Sequence, residues 1–160
     1  MPKLIKGNAI VDDNWQLIGA EDEIPQGRVL MPLARWLALD DERRLGGDTA
    51  PWLDSDQEFA DALPELLKAG LIAVNFPTFM DGRGFSIAEI LRQQHGYRGE
   101  LRAIGYLIQD QLFFLKRCGF DAFQLREGTD LKAALASLQP FSVTYQTSAD
   151  TDRPLFRRRT

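Results

Sequence analysis

Between Leu71 and Leu138 the chain alternates apolar runs with helix-like patterns three times over. Leu71 to Phe76 is the first run, Glu100 to Tyr106 the second and Asp121 to Arg126 the third. Helical spacing fills the gaps: Ile87, Ile90 and Leu91 mark one apolar face, and Leu112, Leu115 and Cys118 another. Asp130 to Leu138 supplies a third helix before Pro140. Such an order predicts right-handed βαβ units and a parallel sheet. Leu71 to Val74 is apolar at every position, as expected of a strand covered on both faces. Spacing and length favour a single α/β domain with a mainly parallel, open, three-layer, Rossmann-like sheet. A complete barrel of eight βα units typically needs about 250 residues, and this chain has 160, which leaves a partial barrel-like curl as the alternative to the open sheet.

The segment before Leu71 adds shorter elements. Lys3 to Ile18 reads as an N-terminal β-hairpin that turns at Asp12-Asp13-Asn14. Arg28 to Leu33 is an expected core strand, and Ala34 to Leu39 a helix. Asp40 to Asp48 reads as a charged surface loop, followed by a short strand over 50–53. Ser55 and Glu58 have capping-box spacing, with Pro64 expected to kink the helix that follows or split it in two. Phe141 to Tyr145 alternates like an edge strand. The domain is expected over 1–147, with a flexible basic tail over 148–160 that ends in Arg157-Arg158-Arg159.

Composition narrows the chemistry. The net charge is −4, which provides no general attraction to nucleic acid. No apolar run approaches the roughly 20 residues of a membrane span, and the first residues lack a signal-peptide core. A cytoplasmic protein is the expectation. Cys118 is the single cysteine and His95 the single histidine. One chain therefore forms no internal disulfide, no Cys-ligated zinc or iron–sulfur site and no two-histidine metal site. No metal is expected, and no cofactor is identifiable.

Ligands of parallel α/β folds bind beyond the carboxyl ends of the strands. There the sequence places Asp81-Gly82-Arg83-Gly84 after the first run, Gln109-Asp110-Gln111 after the second and Arg126-Glu127 after the third. Gly82 and Gly84 permit close backbone approach, and Arg83 offers a planar fork to an oxyanion. Ser86 and Glu89 have capping-box spacing, which predicts a helix start at Ser86 or Ile87 with free N–H groups. Gly82, Arg83, Gly84, Ser86, Gln111 and Arg126 are thus candidate anion ligands. Asp81 and Asp110 are candidate acid–base groups. Plainer roles stand beside these: Asp81 pairing with Arg83, Asp110 as an N-cap, Cys118 as a buried thiol and His95 as a helix-end residue. A dinucleotide site is disfavoured, because Ile87 stands where the fingerprint needs a third Gly or Ala.

The stretch from Asn75 to Leu125 also resembles a known bacterial protein family. The shared pattern is Phe76-Pro77, Asp81-Gly82-Arg83-Gly84, Leu91-Arg92, Gly99-Glu100-Leu101-Arg102, Asp110-Gln111-Leu112 and Cys118-Gly119-Phe120-Asp121. Weaker similarity at 29–36 and 52–56 extends it. Members of that family are described as oxidoreductases of sulfite reduction, and their genes commonly lie beside a sulfite reductase gene. The resemblance implies an accessory protein of assimilatory sulfate and sulfite reduction, binding an anion or the reductase itself. It also admits a small cofactor-using enzyme of sulfur assimilation, or a non-catalytic structural homodimer.

Overall fold

The computed structural model describes residues 2–77 and 82–138. Its strands are β1 (Lys3–Lys6), β2 (Ala9–Asp12), β3 (Trp15–Leu17), β4 (Arg28–Pro32), β5 (Thr49–Asp54), β6 (Leu71–Phe76), β7 (Glu100–Gly105) and β8 (Ala122–Phe123). Its α-helices are α1 (Leu33–Leu37), α2 (Asp41–Arg44), α3 (Leu63–Leu66), α4 (Gly82–Glu89), α5 (Leu112–Cys118) and α6 (Leu131–Ser137). A π-helical turn, Ile90–Gln94, continues α4. All eight strands form one sheet in the order β2-β1-β8-β7-β6-β5-β4-β3. Neighbours from β3 to β8 pair in parallel, whereas β1 runs antiparallel to both β2 and β8.

The sheet curls back on itself. Its two edge strands, β2 and β3, are joined in the chain by Asp13 and Asn14 alone. Laid flat, eight strands would hold their edges roughly 34 Å apart. A two-residue link spans at most about 11 Å. This corrects the expected open, Rossmann-like sheet. A doubly wound sheet reverses its strand order at a switch point, but here β3 to β8 follow one another in sequence order. Sequence periodicity reports strands and helices and carries no record of which strand lies beside which.

The N-terminal hairpin reading is corrected too. Asp12-Asp13-Asn14 does not turn the chain back on itself. Lys3–Lys6 pairs with Ala9–Asp12 across Gly7-Asn8, and Trp15–Leu17 pairs in parallel with β4 on the far edge. Gly7, at φ +63°, supplies the turn conformation. Residues 141–145 and the basic tail lie outside the described residues.

Alternation along each strand separates two cores. Ile72, Val74 and Phe76 share one cluster with Ile87, Leu91, Leu112 and Leu115 of the helices. Leu71, Ala73, Leu30, Ala50 and Ile104 face the other way, against Trp15 and Trp52. Helices therefore cover the outer face, and the inner face is filled by the sheet's own side chains. Each fully buried Leu, Ile or Val is worth roughly 1.5–3 kcal/mol.

Across that inner face runs a chain of charges, buried at Arg102 and Asp13, half-buried at Glu100 and exposed at Lys6. Arg102 of β7, 3% exposed, donates Nε to Glu100 at 2.9 Å and Nη1 to Asp13 at 3.1 Å. Lys6 of β1 pairs with the other oxygen of Glu100 at 3.0 Å. Asp13 also accepts the Trp15 N–H at 3.0 Å, fixing the link between the edge strands. Because β7 is adjacent to neither edge strand, the Arg102–Asp13 bond spans the interior of the curl.

Helix boundaries differ from expectation where capping boxes were read. Glu58 caps no helix: a 3-10 turn begins at Ala60 and α3 at Leu63. The pattern is split in two at Pro64, one of the two expected outcomes: the 3-10 turn ends at Ala62, and Pro64 occupies the first turn of α3, where its missing N–H has no intrahelical role. Asp40 to Arg44 is not loop throughout. Asp40 caps α2 by accepting the Arg43 N–H. Gly119 ends α5 at φ +128°, and Asp130 caps α6 by accepting the Lys132 and Ala133 N–H groups.

Candidate functional site

The carboxyl ends of β5 to β8 form one continuous rim, because these four strands are neighbours in sequence order. β5 contributes Asp54, and β6 contributes Asn75, whose Nδ2 donates to Asp54 Oδ1 at 3.0 Å. Gln57 accepts the backbone N–H of Asp54 at 3.2 Å. β7 ends at Gly105, φ +92°, and the Tyr106 N–H then donates to Phe76 O at 2.7 Å. Arg126, past β8, lies over the Tyr106 ring at 4.5 Å from its centroid. Stacking of this kind holds an arginine fork in place while leaving its N–H groups available.

Beside Arg126 is a cavity of about 660 Å³. Lys3, Asp13, Gln124, Arg126, Glu127 and Thr129 are among its lining residues. It opens where β8 ends and β1 begins, and it reaches the buried Asp13. Lys3 is paired with Asp12, and the lining holds two carboxylates, Asp13 and Glu127. Arg126, with the amide of Gln124 and the hydroxyl of Thr129 in the same lining, is the group that suits a small oxyanion.

The expected site residues divide. Arg126 lines the cavity. Gly82, Arg83 and Gly84 form the first turn of α4, at the same rim beyond β6. Gln111 and Asp110 lie in a 3-10 turn, Gln109–Gln111, beyond β7. Asp81 lies outside the described residues. Topology thus places all but Asp81 on the rim of three adjacent strands, although of these only Arg126 lines that cavity.

Local structure changes what some of them do. α4 starts at Gly82, so Ser86 sits inside the helix and is not its cap. The capping-box reading fails because Gly82 to Phe85 already form a helical turn. Gly84 is buried: a Cβ there would lie 2.4 Å from the Phe76 ring and 3.2 Å from Ser55 Cβ. Its bare backbone lets α4 close on β6, which is a packing role. Gly84→Ala is therefore expected to cost about 1–3 kcal/mol by overpacking, measured by urea unfolding. Phe76→Leu in the same chain should recover part of that loss; the full loss persisting would count against this packing role. Asp110 is not the cap of α5. The cap position falls at Gln111 without a side-chain bond, and Asp110 is exposed with no side-chain hydrogen bond among the described residues.

The opposite rim carries residues whose structural role the sequence did not reveal. Arg92, on the π-helical turn, donates to Gly119 O at 2.9 Å, Tyr97 O at 2.9 Å and Gly99 O at 2.8 Å. Tyr97 donates its hydroxyl to Ala69 O at 2.8 Å, and burial pushes its phenol pKa upward. Asp121 accepts the Leu101 N–H at 2.8 Å. His95 lies on this side, ahead of β7, exposed. Cys118 precedes β8 and is buried, with its thiol pKa raised chiefly by burial. The two residues most suited to nucleophilic or proton-transfer chemistry thus lie away from the carboxyl rim. Among the described residues no group of three or more His, Cys, Asp and Glu is arranged to hold a metal ion. Nor is any helix among them long and apolar enough to cross a membrane.

No curated protein matches the chain, and no solved structure does. A family model matches residues 50–156, from within β5 to beyond α6, and takes in every site residue expected from the sequence, though not Lys3 and Asp13 of the cavity. By that match the chain belongs to the family described as bacterial protein of unknown function (DUF934).

Proposed function

We propose that this protein is an accessory protein of sulfite reduction that holds a small oxyanion at its carboxyl rim. The observation that carries the reading is Arg126, stacked on Tyr106 and lining the 660 Å³ cavity. Arg83 and the first turn of α4 provide further positive potential along the same rim. The choice of sulfite among oxyanions comes from the sequence resemblance described above, as does sulfite reductase as the partner. Such a protein would deliver or retain the anion for the reductase without itself transferring electrons.

A thermal-shift panel of sulfite, sulfate, phosphate, NADPH, FMN and siroheme tests this directly. A ligand at 100 times its dissociation constant adds about 2.7 kcal/mol. For a domain of this size that corresponds to a rise of roughly 5–10 °C in Tm. Sulfite is expected to raise the wild-type Tm by this amount, with the shift lost in Arg126→Ala. No shift with any of the anions would contradict the anion reading.

Two observations support other readings. Phe114, 49% exposed, packs edge-on against Phe85 at 4.8 Å on the α4–α5 surface beside the rim. An exposed aromatic there suits docking to the reductase or to a second copy of the chain. Asp110, exposed at the rim and caps nothing, remains available as an acid–base group in a small enzyme of sulfur assimilation. In that enzyme Asp110→Asn abolishes turnover at an unchanged Tm; turnover that survives the change removes Asp110 from the reaction.

A further inference from the structure

We propose that the groove between α1 and the segment leading into α3 is the docking site of this chain's own basic segment, residues 153–159. The groove has a volume of about 390 Å³. Leu33, Leu37 and Phe59 give it an apolar floor, and Glu58, Asp61 and Glu65 edge it. Glu65 is already paired with Arg44 and Lys68. Glu58 and Asp61 are exposed and have no ion pair among the described residues. From Asp54 to Glu65 the chain holds five carboxylates and no basic residue.

Residues 153–159, Arg-Pro-Leu-Phe-Arg-Arg-Arg, have the complementary pattern. Leu155 and Phe156 match the apolar floor. Arg153 on one side and Arg157 to Arg159 on the other match the acidic edges. Pro154 favours an extended backbone at Arg153, the form a groove accepts. Length permits the contact. Fourteen residues separate Leu138, the last described residue, from Arg153. They span up to about 46 Å, while a 160-residue domain has a radius of gyration of about 15 Å. Tethering places the segment at an effective concentration in the millimolar range, so a modest intrinsic affinity fills the groove. The inference stands apart from the anion reading: it concerns a different cavity and holds whether or not the rim binds sulfite.

The test uses the full chain with a nitroxide on the thiol introduced by Thr160→Cys; the native Cys118 is buried and escapes labelling. The backbone amide signals of Ala34, Leu37, Phe59 and Ala60 are expected to broaden, and to recover in Glu58→Lys/Asp61→Lys. A second variant, Arg157→Glu/Arg158→Glu/Arg159→Glu, should restore them equally while leaving the groove intact. Sharp groove signals in the labelled chain would overturn the proposal. So would broadening in a mixed sample whose nitroxide and isotope label sit on different copies, because the occupant would then be a second molecule.

Discussion

Arg102→Ala is expected to destabilise the protein by about 3–5 kcal/mol, the cost of breaking a buried ion pair and leaving its partners uncompensated. Arg102 is the hub of the inner charge chain: Glu100 takes its Nε and Asp13 its Nη1, all within the curl. Truncation leaves the buried Asp13 carboxylate without its cation, while Glu100 keeps Lys6. For a domain of this size the loss corresponds to roughly 10 °C or more in Tm. Lysine cannot substitute, since a single ammonium lacks the planar fork that reaches both carboxylates. Asp13→Asn should cost less, because its side-chain oxygen still accepts the Trp15 N–H. Urea unfolding of the three variants ranks them, with Arg102→Ala and Arg102→Lys well below Asp13→Asn. Near-wild-type stability for Arg102→Ala would mean that the edges of the sheet are held together by something other than this bond.

Gly105→Ala is the other substitution expected to have a large effect, about 2–6 kcal/mol. Two costs combine there. The backbone lies at φ +92°, where a side chain is strained by about 1–3 kcal/mol. A Cβ would also sit 2.4 Å from Asn75 Oδ1 and 2.5 Å from Phe76 O, and overpacking of that kind typically costs another 1–3 kcal/mol. The carbonyl belongs to rigid backbone, so little relaxation is open to it. Displacing Asn75 would disturb its bond to Asp54, and displacing Phe76 O would disturb the Tyr106 N–H that it accepts. Gly105→Ala should therefore weaken sulfite binding as well as the fold, because Tyr106 carries Arg126. A chemical denaturation curve together with a sulfite titration separates the two losses. An unfolding midpoint equal to wild type would show that the β6–β7 junction is looser than its geometry indicates.

The strands were legible where burial leaves a continuous apolar trace. Leu71–Phe76 forms as read, because Leu71 to Val74 is covered on both faces and apolar throughout; Glu100–Gly105 forms one residue shorter than the expected Glu100 to Tyr106 and carries Glu100 and Arg102 within it. Strand order was not legible. β2 and β3 sit at opposite edges of the ladder yet are adjacent in the chain. What turns one into the other is a side chain, Asp13, held by a residue 89 positions away. Pattern within a window of 10–20 residues holds no trace of such a partner. Capping boxes misled at Ser55 and Ser86 for a related reason. The helices there begin where tertiary packing allows, with Gly84 against Phe76, rather than where a side chain first offers a cap.

The candidate site was partly legible. The rule that ligands lie beyond strand carboxyl ends placed Arg83, Gln111 and Arg126 on one rim, and the sequential strand order keeps them there. The Tyr106–Arg126 stack was missed, since the two residues follow different strands, β7 and β8, and approach only because the ladder sets those strands side by side. Most of the sequence pattern that looked family-specific has turned out to be architectural. Arg92, Gly99, Gly119 and Asp121 tie the opposite rim together through backbone carbonyls and N–H groups. The residues that build this junction explain the strength of the pattern without implying chemistry.

The most direct test of the central claim is chemical-shift mapping of sulfite on the isotopically labelled full chain. The account predicts the largest changes at Tyr106, Gln124, Arg126 and Thr129, around the cavity mouth, and their disappearance in Arg126→Ala. Changes centred on Arg92, His95 and Tyr97, or none at all, would contradict an oxyanion site at the carboxyl rim.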